Sequence, residues 1–318
     1  MFAEYERESG QQIDPEVIGR LFYETRGQPG LSCWFGELIT ETYYTEKDRA
    51  VTADRFEKIF RRAVHVLPNN NILNIISKAS QEDYRDTVLK LFRTDRKTGF
   101  AFDDPDLNFL YMNGVIAEEE SNDHVYVRFS CPFVQKRLFN YFARELFGEM
   151  GRIFRPFEDM SDTFTPEGLN IPNLMRRFQN HLKENREWML RDAPRRKDLR
   201  IREAVYHFGL YRYLCDFLGT RYSRIWPEFP TGNGKIDLIV KYEDHIYALE
   251  LKSYSDERAY REALDQAALY GKELGVPHIW LIFFVEYIDD PTREKYEKIY
   301  TDKGTGVGVI PVFVDIGE

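Results

Sequence analysis

Apolar residues recur at three- and four-residue spacing over most of the first 147 positions, which predicts a succession of amphipathic helices. One is expected over 14–26, with Asp14 as cap, Pro15 at the first helical position and Gly27 as the stop. A second begins at Pro29 and runs through LSCWFGELITETYY, and a third covers VTADRFEKIFRRAVHVL behind Thr52. NILNIISKAS, EDYRDTVLKLF and, after Pro105, DLNFLYMNG give three shorter helices. The period then changes: GVIAEE and HVYVRFS alternate as strands about the turn-prone Ser121-Asn122-Asp123. FVQKRLFNYFARELF returns to helical spacing.

Three helices, a hairpin and another helix is the order of a winged helix. DLNFLYMNG, in the recognition-helix position, lacks Lys and Arg and is preceded or opened by Asp103, Asp104 and Asp106. Acidic groups there repel phosphate, which argues against direct DNA reading by this module. Residues 151–170 mix Pro, Gly, Ser and Asp without sustained periodicity and are expected to separate two domains. Beyond them come helices at about 171–190 and 198–218, then strands KIDLIVKY, HIYALELK, HIWLIFFVEY and VIPVFVDI, with SDERAYREALDQAALYGKEL as a helix between the second and third. The expected organisation is therefore a mainly α, winged-helix-type domain over 1–150, a linker over 151–170, and an α/β domain with a mixed central sheet over 171–318.

A length of 318 residues accommodates two such domains, each with its own core. Hydrophobic residues make up 43% and aromatics 15%, which excludes disordered and low-complexity classes. No apolar run reaches the roughly 18 residues of a spanning helix, so no membrane partner is expected. The charged start MFAEYERESGQQ does not fit a secretory signal. Cys33, Cys131 and Cys215 are far apart and form no CxxC, which argues for a reducing, cytoplasmic location.

The net charge of −9 speaks against a generally basic nucleic-acid binder, but it hides a cationic window over 176–202. Arg191, Arg195, Arg196, Lys197, Arg200 and Arg202 are its candidate phosphate contacts, since a local cationic track is what phosphate binding needs. A solvated helix face is the plainer explanation for such a run taken alone.

KIDLIVKYEDHIYALELKS carries the candidate chemistry. Glu243-Asp244 suits a two-residue hairpin turn, and pairing centred there sets Asp237 opposite Glu250. Ile239 then faces Ala248, and Lys252 shares the face of Glu250 because strand side chains alternate. Two carboxylates roughly 5 Å apart destabilise a bare hairpin, and a divalent cation relieves them best. An ordinary Glu–Lys pair on a strand face is the alternative for ELK alone. In LRIREAVYHFGLYRYLCDF, Glu203 falls on the apolar stripe formed by Leu199, Tyr206, Leu210, Tyr213 and Phe217, where it needs a partner. That partner is a metal or a neighbouring Arg. Gln266 and Tyr270 share one helix face, and Ala267 and Ala268 allow a close approach. Glu228 and Gly232-Asn233-Gly234 are expected to form a flexible lead into the first strand. The six histidines show no paired spacing and are expected to be structural or exposed.

Glu203, Asp237, Glu250-x-Lys252 and Gln266-x-x-x-Tyr270, in that order over about 195–318, resemble the PD-(D/E)XK nuclease superfamily, in its RecB-like branch with the QxxxY element. Ile236 stands where the superfamily name has Pro. TRGQPGLSCWFGELITE, PNNNILNIISKAS and CPFVQKRLFNYF resemble the lid and winged-helix region that follows the P-loop domain in prokaryotic AAA-like ATPases. GxxxxGK[ST] is not found in the sequence, so no ATP hydrolysis is expected.

The resemblance implies a restriction-endonuclease-like C-terminal fold and hydrolysis of phosphodiester bonds, in DNA. It implies that Asp237, Glu250 and the Leu251 carbonyl hold Mg²⁺ or Mn²⁺, with Glu203 completing the site. Lys252 would act on the attacking water, while Gln266 and Tyr270 position the backbone and the lysine. Two rivals stand beside it: a catalytically inactive nucleic-acid-binding module of the same fold, and an interaction module that docks an ATPase domain or subunit.

Overall fold

The computed structural model describes residues 1–317 apart from 93–97, 122–123, 155–157, 192, 194–202, 220–222 and 231–234; the side chains of residues 121, 203, 223, 228–230 and 235 also lie outside the described set. The chain divides into two compact units, Met1–Tyr141 and Phe142–Glu318.

The first unit is mainly helical. It holds α1 (Phe2–Ser9), α2 (Pro15–Thr25), α3 (Pro29–Glu37), α4 (Ala53–His65), α5 (Asn70–Ala79), α6 (Glu82–Leu91) and α7 (Pro105–Met112). An antiparallel hairpin of β1 (Ile116–Ser121) and β2 (His124–Phe129) follows, then α8 (Pro132–Leu146), within which the division between the units falls. Pro fits the first turn of α2, α3 and α7 because the missing N–H is one the helix would leave unused. Asp104 caps α7 and Asn69 caps α5 through their side-chain oxygens. Phe35, Phe60 and Phe133 pack ring against ring at the centre, Phe35 and Phe133 meeting edge-on at 5.0 Å. Two features depart from the hydrophobic pattern. α1 is polar and buries no residue, so it gives no apolar stripe to detect. The helix from Pro29 widens into a π-helical turn over Leu38–Thr42.

The second unit is α/β. Phe164–Thr165 (β3) pairs with Gly168–Leu169 (β4). α9 (Ile171–Met189) and α10 (Glu203–Leu218) precede a six-stranded mixed sheet of β5 (Ser223–Pro230), β6 (Lys235–Tyr242), β7 (His245–Ser253), β8 (His278–Val285), β9 (Tyr300–Thr301) and β10 (Gly308–Asp315), in the order β5-β6-β7-β8-β10-β9. β5, β6 and β7 are antiparallel, whereas β7, β8 and β10 run parallel. α11 (Glu257–Leu274) makes the crossover that a parallel β7–β8 pair needs, and α12 (Asp290–Tyr296) precedes β9. Asp256 caps α11, and Gly275 ends it in the left-handed region at φ 68°.

Glu228 lies in a strand, not in a flexible lead: Ser223–Pro230 pairs with β6 along its length, so β6 is the second strand of the sheet. Pro227 and Pro230 hide this strand from the alternation pattern, and they are tolerated because β5 is an edge. Gly232-Asn233-Gly234 lie outside the described residues. α10 also departs from a one-sided stripe. Ala204 through Tyr211 are all buried, so the helix is enclosed on every side along its first turns. Among the described residues, no helix is long and apolar enough to cross a membrane.

Candidate functional site

The β6–β7 hairpin turns at Glu243-Asp244, with Glu243 at φ 51°. Its strand pairs run from Tyr242–His245 to Leu238–Leu249, the register the alternation predicts. The ladder stops one pair short of Asp237 and Glu250. In a two-residue hairpin of this register the Leu251 N–H would next donate to the Ile236 carbonyl. It donates instead to Asp237 Oδ2 at 2.8 Å. The side chain of Asp237 thus takes the place of a backbone acceptor, and the strands part where the carboxylates sit.

Asp237 and Glu250 are 1% and 0% exposed, and Lys252 is 8% exposed. Lys252 Nζ lies 2.9 Å from Glu250 Oε1. Among the described residues, Asp237 Oδ1 accepts no hydrogen bond. Its near neighbour is His207 on α10, whose Nδ1 is 3.9 Å away and whose ring is 1% exposed. Burying two carboxylates and an ammonium together in a low-dielectric setting is costly unless every charge is paired.

α11 brings the remaining residues. Ala267 and Ala268 are fully buried. One turn on, a Cβ at Gly271 would meet Val307 Cγ1 at 2.7 Å, so the helix lies close against its neighbours. Gln266 Nε2 donates to the Tyr270 hydroxyl at 2.6 Å. Burial pushes the Tyr270 phenol above its ordinary value, and the Glu250 charge adds to the rise; Lys252 opposes it and Asp237 reinforces it. Tyr270 therefore stays protonated at neutral pH within the field of the Asp237–Glu250–Lys252 cluster.

Asp237, Glu250, Lys252, Leu251, Gln266 and Tyr270 are thus brought to one region of the unit. Glu203 opens α10, but its side chain is outside the described residues. Arg195, Arg196, Lys197, Arg200 and Arg202 also lie outside them, and Arg191 is exposed just beyond α9. Part of the expected cationic window is engaged internally: Lys183 pairs with Asp315 at 2.8 Å, Arg186 donates to the Ile316 carbonyl, and Arg177 pairs with Glu158 and Asp162. His207 is a residue that the sequence pattern does not single out. Its one signal is its position four residues after Glu203, which places both on one helix face.

The observation that bears on a divalent cation is the buried Asp237 Oδ1, which accepts no hydrogen bond among the described residues and shares the field at Tyr270 with the buried Glu250. Among the described residues, no group of three or more His, Cys, Asp or Glu forms a cluster that could hold a metal ion.

No known family model matches the chain, and no curated protein does. Among solved structures, the small subunit of the heterodimeric restriction endonuclease R.BspD6I is similar to part of it, at 20% identity and a TM-score of 0.23. The match covers 34% of this chain and 62% of that subunit. At that score the likeness carries no argument about the chemistry of this chain.

Proposed function

We propose that the C-terminal unit is a metal-dependent nuclease of restriction-endonuclease-like fold, hydrolysing phosphodiester bonds in DNA. The observation that carries it is the buried Asp237–Glu250–Lys252 cluster, with one carboxylate oxygen of Asp237 unmatched at the point where the hairpin opens. Asp237 and Glu250, with the Leu251 carbonyl and Glu203, would hold Mg²⁺ or Mn²⁺, and His207 would buttress the Asp237 side. When bound, such a cation supplies Lewis-acid stabilisation of negative charge at the phosphoryl group. Lys252 Nζ would orient the attacking water by donating to it. Tyr270, kept neutral by burial and fixed in place by Gln266, would donate to a phosphate oxygen of the strand. Arg191, Arg195, Arg196, Lys197, Arg200 and Arg202 would track the backbone towards this point. The helical unit would act as a winged-helix-type module docking an ATPase domain or subunit.

A second reading is a nuclease-like module that binds nucleic acid or an ATPase partner without cutting; Lys252 Nζ at 2.9 Å from Glu250 Oε1, an ordinary Glu–Lys pair on a strand face, favours it. Cleavage of plasmid, linear duplex, single-stranded DNA and RNA with Mg²⁺ or Mn²⁺ separates the two, alongside Lys252→Ala and melting curves with and without the ion. The nuclease reading expects metal-dependent cutting, lost in Lys252→Ala, together with a metal-dependent rise in Tm. Nucleic-acid binding with no cutting under any of these conditions would establish the second reading.

A further inference from the structure

In the first unit, residues 98–100 run alongside β2. The Phe100 N–H donates to the Val125 carbonyl at 2.9 Å, and the Val127 N–H donates to the Thr98 carbonyl at 2.8 Å. Gly99 and Tyr126 form an antiparallel bridge between them. β2 therefore lies between this stretch and β1. Side chains alternate along a strand, so Phe100 and Val125 share one face, and Glu120, the register partner of Val125, shares it too. Glu118 belongs to the same face, whose inner end is the buried pair Ile116 and Phe129. Farther out this face meets solvent: Val125, Glu118 and Glu120 are all exposed.

α7 extends the face. The rings of Phe100, Phe102 and Tyr111 form a triad, with centroids 4.8, 5.2 and 5.4 Å apart. Asn108 Nδ2 donates to the Phe102 carbonyl at 3.0 Å and ties this part of the chain to the helix. Asn108, Tyr111 and Met112 share one helix face by their three- and four-residue spacing. Phe102 is 52% exposed and Met112 74%. A single exposed apolar residue needs no explanation, but a contiguous set of aromatic, Met and Val side chains is the composition of an interface.

The charges around it define the partner. Residues 98–129 carry seven Asp and Glu against one Arg and no Lys. That Arg128 donates to the Phe129 and Ser130 carbonyls at 3.0 and 2.9 Å. Asp103 is exposed next to Phe102, so the apolar centre has an anionic rim. Such a rim repels nucleic acid, and a chain of net charge −9 offers a second copy mostly the same sign. We propose that this face docks a cationic amphipathic segment of a partner protein. Its apolar side chains would meet Phe102, Tyr111, Met112 and Val125, and its Lys and Arg would meet Asp103, Glu118 and Glu120. This rests on the docking role given above to the helical unit, and names the surface and the partner chemistry.

Fluorescence anisotropy tests it, with the full chain and a labelled Leu/Lys peptide of about 18 residues, long enough to form a helix. Oligolysine of equal charge and a Leu/Glu peptide of equal apolar content are the controls. The Leu/Lys peptide should bind saturably, oligolysine about tenfold more weakly or worse, and the Leu/Glu peptide not at all. Its affinity should fall as salt rises from about 0.05 to 0.5 M. Phe102→Ser, Met112→Ser and the double variant Glu118→Lys/Glu120→Lys should each weaken it by about tenfold. Leu73→Ser, at an exposed apolar position on α5, should leave it unchanged. Met112, Glu118 and Glu120 are exposed, so their variants keep the fold, which circular dichroism verifies. Affinity retained in all three surface variants, or equal binding of either control peptide, overturns this surface and leaves the docking role standing. No binding of any peptide overturns both. A DNA duplex bound to this face, or self-association seen by sedimentation and lost in the same variants, would assign the face to another occupant and overturn the proposal.

Discussion

Asp237 Oδ2 accepts the backbone N–H of Leu251 at 2.8 Å, and this bond ends the β6–β7 ladder. The two oxygens of this carboxylate differ: one replaces a strand carbonyl, and the other accepts no hydrogen bond among the described residues. The opening between the strands and the candidate metal site have the same origin.

Asp237→Asn and Asp237→Ala should therefore differ in stability, although under the proposed nuclease function both should abolish cleavage. The amide oxygen of Asn still accepts from Leu251 while removing one buried charge, so without metal this variant should gain about 1 kcal/mol or more. Ala strands the Leu251 N–H and should cost about 1–3 kcal/mol. Urea denaturation in EDTA measures both, and an Ala variant more stable than the Asn variant would count against this account.

Lys252→Ala takes an ammonium from a fully buried carboxylate. It should lower stability by about 3–5 kcal/mol, as removing one partner of a buried pair does, and cut cleavage by about 10²–10³-fold. Adding Glu250→Gln to Lys252→Met should recover most of the stability and none of the cleavage. Recovered cleavage in that double variant would exclude both residues from the chemistry.

Alkali should unfold the protein through its buried phenols and thiols. Burial holds Tyr260 up to about 12, and Cys131 and Cys215 up to about 11 from 9.0; Tyr211, Tyr213 and Tyr270 are also raised from 10.0. Each folded value lies above the unfolded one, so the unfolded chain gives up protons first. The stability these groups contribute is complete below about pH 9 and falls as pH rises through 9–12. The urea midpoint should be lower at pH 11 than at pH 8, and an unchanged midpoint refutes the assignment.

Gly168→Ala should be destabilising by about 1–3 kcal/mol. Gly168 has φ 119°, and an added Cβ would lie 2.2 Å from the Tyr247 hydroxyl, which accepts from the Leu169 N–H at 2.7 Å. Tyr247→Phe, which loses only that acceptor, should cost less than the glycine substitution. Thermal melts rank the two.

Much of the C-terminal half is legible in the sequence because its signals are local. The Glu243-Asp244 turn and strict alternation set the β6–β7 register, and the Gln266–Tyr270 spacing set their shared face. The rest depends on tertiary context. The prolines of β5 read as breakers until an edge position excuses them. α12 is short, polar and buries nothing, so no periodicity announces it. His207 sits in an unbroken apolar run, and only the fold brings it to Asp237. The early part of the cationic window reads as a free track because partners such as Asp315 lie more than a hundred residues away in sequence.

β7 changes the sense of the sheet, pairing antiparallel with β6 and parallel with β8, and it carries both Glu250 and Lys252. Leu249 is paired on both flanks and Glu250 to Ser253 on the β8 side, so β7 should exchange its amide protons later than β5 and β9, which fray first at the margins. A chain worn at its borders would still keep Glu250 and Lys252 beside β8.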